Sequence, residues 1–183
     1  MVELVIAAAV IVVGAFLFSF LRAKRKISRM QEELARAWQE VSQAMALRVS
    51  ALEELASALR ASGYVSEGER RLREAIEELR RFGTNPRELA EAHDRVEAVL
   101  RGIYRALPRE REERVKVAQN HLAEADEELD VRKNRYNELV LSWYELSRRF
   151  PFRLLMRKIP RPEPFALPGE EEVLLRRHLP GLD

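Results

Sequence analysis

Residues 27–59 read ISRMQEELARAWQEVSQAMALRVSALEELASAL. Apolar side chains recur here mostly at steps of three and four residues, which places them on one face of an α-helix. Ala, Leu, Glu and Arg, which favour helices, dominate the chain beyond residue 21. The stretch therefore predicts a long first helix from near Lys24 to Ala61, and it leaves open whether this helix continues into the residues before it. Its apolar face consists of Ile27, Met30, Leu34, Trp38, Val41, Met45, Val49, Leu52 and Leu59.

An uncharged run of 18 residues, from Leu4 to Leu21, precedes this helix. As a helix it is ~27 Å long, close to the ~30 Å hydrocarbon core of a bilayer. Residues 22–26 carry four cations, so the positive-inside rule places the N-terminus outside and residues 22–183 in the cytoplasm. A cleaved signal peptide fits less well because these cations follow the run instead of preceding it. A buried core helix also fits less well, since the run is apolar on all faces. We therefore expect a single-pass anchor in the cell membrane.

Turn signals divide the rest of the chain into further helices. Ser62-Gly63 ends the first helix, and the pair Ser66 and Glu69 is typical of a capping box for a second one. The segment 83–86 (Gly-Thr-Asn-Pro) ends the second helix and begins a third. Gly suits a left-handed C-cap, Asn85 can cap the next helix, and Pro suits its first position. Pro108 separates the third helix from a long fourth one, which ends at Phe150-Pro151.

Short connections make consecutive helices antiparallel. The chain is therefore expected to be all-α: an antiparallel, up-and-down four-helix bundle with two long helices, preceded by one N-terminal transmembrane helix. The long pair should be less covered where the two shorter helices end. The expected organisation is an anchor at 1–21, a cytoplasmic bundle at 22–151, and a membrane-proximal basic segment with a proline-rich tail at 152–183.

Reactive side chains form no recognisable catalytic or metal-binding motif in the sequence. Cysteine is absent, and His93, His121 and His178 lie on separate segments. A glycine-rich phosphate loop is also missing, and the many carboxylates alternate with arginines as solvated helix faces do. We expect no catalytic residues, no cofactor, no metal and no enzyme activity. The formal charge is only +2 and both signs are interleaved, which argues against a nucleic-acid partner.

One local exception is a cluster of cations that falls within 14 residues: Arg148, Arg149, Arg153, Arg157, Lys158 and Arg161. Apolar residues such as Phe150 and Leu154 are mixed among them. An even number of antiparallel passes returns the chain to the membrane-proximal end, where such a segment can contact anionic headgroups. The alternative is that the apolar residues pack against the end of the bundle while the cations are only solvated. The sequence leaves both readings open.

Two motifs on the fourth helix stand at a characteristic distance: residues 136–140 (Tyr-Asn-Glu-Leu-Val) and residues 148–151 (Arg-Arg-Phe-Pro). They resemble the Tyr-Asn…Val…Phe-Pro signature of the LemA family of bacterial membrane proteins. Further similar positions are Ala37-Trp38, Arg48, Gln119 and Leu122, whereas Trp143-Tyr144 stands where the family usually has a second Tyr-Asn pair. The resemblance implies an N-terminal span in the bacterial inner membrane and a cytoplasmic antiparallel helical bundle. It implies no biochemical activity.

Two residues of the signature have expected structural roles. Tyr136 lies on the inward face of the fourth helix, and a buried tyrosine usually has a partner for its hydroxyl. Asn137 is expected to hydrogen-bond across to the first helix and to fix the register of the two helices.

The leading hypothesis is a docking or scaffold module for membrane-associated proteins. The alternative is a lipid-organising or self-assembling structural membrane protein. Membrane lipid is the expected partner of the N-terminal helix, whereas the protein partner and homo-oligomerisation are left open.

Overall fold

The computed structural model describes residues 2–64, 66–81, 85–167, 169–170 and 172–174. This part of the chain is helical and contains no β-strand. Gly83, Thr84 and His178, which the sequence analysis singled out, lie outside the described residues. The helices are α1 (Val2–Ser62), α2 (Ser66–Arg81), α3 (Pro86–Ala106), α4 (Glu113–Arg148) and α5 (Phe152–Leu155).

Two helix boundaries follow the predicted turn chemistry. Gly63 adopts a φ of 66° after α1, and its N–H donates to the Leu59 carbonyl at 3.1 Å. Asn85 caps α3, because its side-chain oxygen accepts from the N–H groups of Arg87 and Glu88 at 2.9 and 3.3 Å. These two predicted boundaries are confirmed.

The predicted capping box of α2 is not among the hydrogen bonds of the described residues. Ser66 is the first residue of the helix, and the carboxylate of Glu69 pairs instead with Arg73 and, at 3.3 Å, with Arg60. The buried carboxylate therefore joins α2 to the end of α1.

The long helices α1 and α4 pack against each other in antiparallel directions. Position 54 of α1 lies beside His121, and Trp38 lies beside Tyr136 with ring centroids 5.2 Å apart. Residue numbers thus fall along one helix as they rise along the other. Helices α2 and α3 form a hairpin that packs on the half of α1 distal to its N-terminus, where Arg80 pairs with Glu53.

The other half of the long pair is covered by the chain's own C-terminal segment. Phe165 is only 4% exposed and packs near Trp38 and His93, at ring-centroid distances of 6.4 and 6.0 Å. Met156 is also buried in the core. The expectation of a less covered stretch is therefore wrong for this region, since residues 152–166 occupy the place that α2 and α3 are too short to reach.

No helix in the described part of the chain is long and apolar enough to cross a membrane. The side chains of residues 1–10 and 12, which include much of the predicted anchor, lie outside what the structure describes.

Candidate functional site

The corner at which α4 ends brings the C-terminal part of the chain against the N-terminal part of α1. Phe150 lies in this corner, and its ring centroid is 6.2 Å from those of both Phe16 and Phe20. Those two rings are themselves 4.7 Å apart. The Phe150–Pro151 peptide bond is cis. The end of α4 therefore meets α1 at residues that the sequence analysis assigned to the anchor.

Large apolar side chains at this corner face outward. Phe150 is 66% exposed and Leu154 is 60% exposed. On α1, the exposed large hydrophobic side chains at the same end include Phe16, Leu17, Phe18 and Leu21. Large contiguous apolar patches of this kind are typical of protein or membrane interaction sites. We call the segment 148–161, together with residues 16–29 of α1, the basic tip.

Two clefts flank Phe150 in the basic tip. The first has a volume of about 860 Å³ and lies between α1 and residues 150–152; its cations are Arg22, Arg25, Lys26 and Arg29. The second has a volume of about 1320 Å³, and its cations are Arg148, Arg153, Arg157 and Arg161. Phe150 lines both clefts, so each combines an aromatic wall with several guanidinium or ammonium groups.

All six predicted contact cations of the 148–161 segment are exposed. Four of them line the second cleft, whereas Arg149 and Lys158 line neither cleft. The sequence left open whether the apolar residues of the segment contact lipid or pack against the bundle, and the structure divides them between a buried and an exposed group. Met156 is buried and Phe152 packs partly against the core, but Phe150 and Leu154 do not.

The contribution of α1 to this surface was not predicted from the sequence. The cations of residues 22–26 indicated only the orientation of the anchor, whereas the structure places Arg22, Arg25 and Lys26 in one cleft with Phe150. Lys26 also lies 5.8 Å from the centroid of the Phe152 ring. The only available signal was the even number of helix passes, which brings the two segments to one end.

Above the basic tip, α4 fastens the C-terminal segment by hydrogen bonds to its backbone. The Asn137 amide donates to the Phe165 carbonyl at 3.1 Å and accepts from the Phe165 N–H at 2.8 Å. Tyr136 donates its hydroxyl to the Glu163 carbonyl at 2.8 Å. Burial, with a smaller contribution from Glu163, raises the pKa of Tyr136 to about 12, so this hydroxyl remains a donor.

These contacts change one of the two expectations for the signature residues. Tyr136 has the hydroxyl partner that burial requires. Asn137, however, bonds to Phe165 in the C-terminal segment, so the expected bond to the first helix is wrong. The side chain fits this role because a primary amide matches both the N–H and the C=O of one backbone residue. We call the pairing of Asn137 with Phe165 the latch.

A buried arginine links α1 to α3 and α4. Arg48 is 0% exposed, and its guanidinium pairs with the carboxylates of Glu97 and Asp126. Its Nη1 atom has no hydrogen-bond partner in the described part of the chain. One signal was present in the sequence: the apolar steps Val41, Met45 and Leu52 place position 48 on the inward face.

The two described histidines, His93 and His121, lie on different helices, α3 and α4. No group of three metal-binding side chains occurs among the described residues. Burial, reinforced by the nearby charges of Arg48 and Lys133, lowers the pKa of His93 to about 3. His121 is exposed and 2.9 Å from Glu54, whose hydrogen bond raises the pKa of that imidazole.

Compared with known proteins, the chain matches no family model and no curated protein.

Proposed function

We propose that the protein is a LemA-like, single-pass membrane protein whose cytoplasmic four-helix bundle is a non-catalytic docking module for membrane-associated partners. In this proposal residues 1–21 span the membrane with the N-terminus outside. Residues 22–183 then lie on the cytoplasmic side, and a partner binds the bundle at a fixed distance from the bilayer.

The observation that carries this proposal is the continuity of α1. The helix has 61 residues, from Val2 to Ser62, and it includes both the apolar run and the central helix of the bundle. A helix of this length spans ~90 Å. Because no turn interrupts it, the position of the anchor determines the position of the bundle, as a scaffold requires.

The surface chemistry supports a role in contact and not in catalysis. Many of the described carboxylates are paired with arginines on the same or neighbouring helices. Arg70 bonds Glu67 and Glu74, and Arg132 bonds Glu128 and Glu40. Such exposed pairs keep helix faces solvated and contribute little individually.

The basic tip favours a second candidate, a lipid-organising structural protein. An exposed aromatic ring beside the anchor and flanked by cations is the composition of an interfacial membrane contact. The two candidates differ in where the essential surface lies. Docking needs the sides or the distal end of the bundle, whereas lipid organisation needs only the end next to the membrane.

Proximity labelling with photocrosslinking tests the docking function. The full chain carries the labelling enzyme at its C-terminus, and photoreactive residues replace Arg101 or Glu110, both exposed on the distal half. Residues 1–29 fused to the same enzyme form the matched control, since they share the anchor but lack the bundle. We expect membrane-associated proteins that are enriched with the full chain and crosslinked at these distal positions. Identical labelled sets for the two fusions, without any distal crosslink, would refute the docking function.

A further inference from the structure

We infer that the basic tip is a binding site for the anionic phospholipid headgroups of the bilayer that holds the anchor. The site consists of Phe150 and Leu154 together with the cations of the two clefts. This inference rests on the membrane-anchored part of the proposed function, because it requires residues 1–21 to lie in lipid.

The position of Phe150 along α1 supplies the first argument. Its ring contacts Phe16 and Phe20, which lie within the uncharged run and not beyond it. When that run lies in hydrocarbon, the Phe150 ring reaches the boundary between acyl chains and headgroups. Aromatic rings are enriched at this depth in membrane proteins. Water would otherwise face a Phe side chain that is 66% exposed.

The surroundings of the cations support the same site. Residues 22–29 and 148–161 contain no Asp or Glu. No ion pair joins their cations to a carboxylate in the described ranges, whereas Arg70, Arg80 and Arg132 on the bundle are all paired. The guanidinium groups of the tip therefore remain available. Arginine binds phosphate oxygens in a bidentate manner, and each cleft brings several cations around one aromatic ring.

The exposed apolar side chains and the available cations together favour lipid over an acidic protein. An acidic peptide would satisfy the cations but would leave Phe150 and Leu154 without an apolar partner. A phospholipid supplies both, with phosphate for the clefts and acyl chain for the two apolar side chains. The anchor also holds the tip next to such lipids at all times, so binding needs no diffusional encounter.

The test uses the full chain in lipid vesicles, and the absence of cysteine permits a single label. Leu154→Cys carries a polarity-sensitive fluorophore at the tip, and Glu110→Cys carries it at the distal loop. Vesicles are either zwitterionic or contain about one-third anionic lipid. A first measurement verifies that the chain floats with the vesicles. The test variant is Arg148→Gln/Arg153→Gln/Arg157→Gln, which neutralises three cations of the second cleft. Its matched control neutralises three exposed distal arginines, Arg101→Gln/Arg105→Gln/Arg109→Gln.

We expect the label at position 154 to enter an apolar environment in anionic vesicles, less so in zwitterionic ones, and to leave it at high salt. Neutralising the three tip arginines should lower the equilibrium constant for binding of the tip to the anionic lipid surface about a hundredfold. Each arginine contributes separately to the attraction by that surface. Phe150→Ser should weaken binding of the tip to lipid, but this binding should still depend on salt concentration. The distal label and the distal triple variant should behave as the unaltered chain does.

The inference is overturned if the chain floats with the vesicles but the fluorescence of the label at position 154 is the same in anionic and zwitterionic vesicles. That result leaves the docking function standing. Equal losses in the two triple variants also overturn it, as does a response to a soluble acidic peptide in place of anionic lipid. Conversely, absence of protein partners in the labelling experiment does not alter the lipid response. A chain that does not float contradicts the anchor itself.

Discussion

The latch provides the sharpest test of how the C-terminal segment is held. Asn137 uses both ends of its amide, one as acceptor for the Phe165 N–H and one as donor to the Phe165 carbonyl. Asn137→Asp keeps the size of the side chain and the acceptor, but it replaces the donor by a second oxygen. An oxygen then faces a carbonyl oxygen at a site that is buried in the unaltered chain.

The magnitude follows from the groups left without partners. A buried carbonyl that loses its donor costs about 1–3 kcal/mol, and a carboxylate buried without a cation adds to this. We expect a loss of about 2–4 kcal/mol near pH 7 in the free energy of holding the segment. The loss should shrink in acid, because a protonated carboxyl recovers a donor. Burial raises the pKa of such a group, so the recovery should begin above the range of an exposed aspartate.

Limited trypsin digestion of the full chain measures this free energy locally. Arg157 and Lys158 are exposed and lie in the segment between α5 and the latch. We expect cleavage there to rise with the population in which the segment is open, because proteolysis tracks the open form when reclosing is fast. A change of 2 kcal/mol or more corresponds to at least a roughly thirtyfold rise in the open population. Asn134→Asp is the matched control, since it adds the same charge to the same helix at an exposed position. Cleavage of Asn137→Asp that is no faster than that of the control would refute the reasoning.

Two further predictions concern the interior of the bundle. Arg48→Met should destabilise the chain by about 2–4 kcal/mol in urea unfolding, below the usual cost of breaking a fully buried pair, because Glu97 and Asp126 are partly exposed. Adding Glu97→Gln and Asp126→Asn should recover much of this loss, and no recovery would contradict the pairing. For His93 the folded pKa of about 3 lies below the reference value of 6.5, so its contribution to stability is complete above pH 6.5 and declines as pH falls towards 3. His93→Gln should remove a slope of up to about 1.4 kcal/mol per pH unit in that window, as followed by urea unfolding.

The helical architecture was predictable because it depends on local rules. The three- and four-residue spacing around Leu34 and Leu52 places these residues in the core, and the glycine at position 63 ends α1 as its φ of 66° requires. The Asn85 cap likewise acts on its own neighbours in sequence. Each of these predictions needs only residues within a few turns of helix.

The contacts that were missed join residues far apart in the chain. The latch joins the Asn137 side chain to the backbone of Phe165, in a non-helical segment. Every residue other than proline has the same backbone N–H and C=O groups, so the sequence does not show which of them Asn137 will bind. Because α2 and α3 are shorter than α1 and α4, the sequence indicated a gap beside the long pair. It did not indicate which part of the chain fills that gap. Arg48 was visible on the inward face, yet its partners lie on two other helices.

One segment of the chain, residues 149–164, connects the latch to the basic tip, so a change in the latch should affect the tip. Residues 149–164 are held at one end by α4 and at the other by the pairing of Asn137 with Phe165. Opening the latch removes no cation from the tip but lets the segment sample more conformations, and binding to lipid must then restrict them. Asn137→Asp should therefore weaken the anionic-lipid response of the label at position 154. The arginine triple variant should leave tryptic opening at Lys158 unchanged, since its charges lie outside the latch. If Asn137→Asp speeds cleavage yet leaves the lipid response intact, the tip binds lipid without needing the latch, and the mechanical connection is wrong.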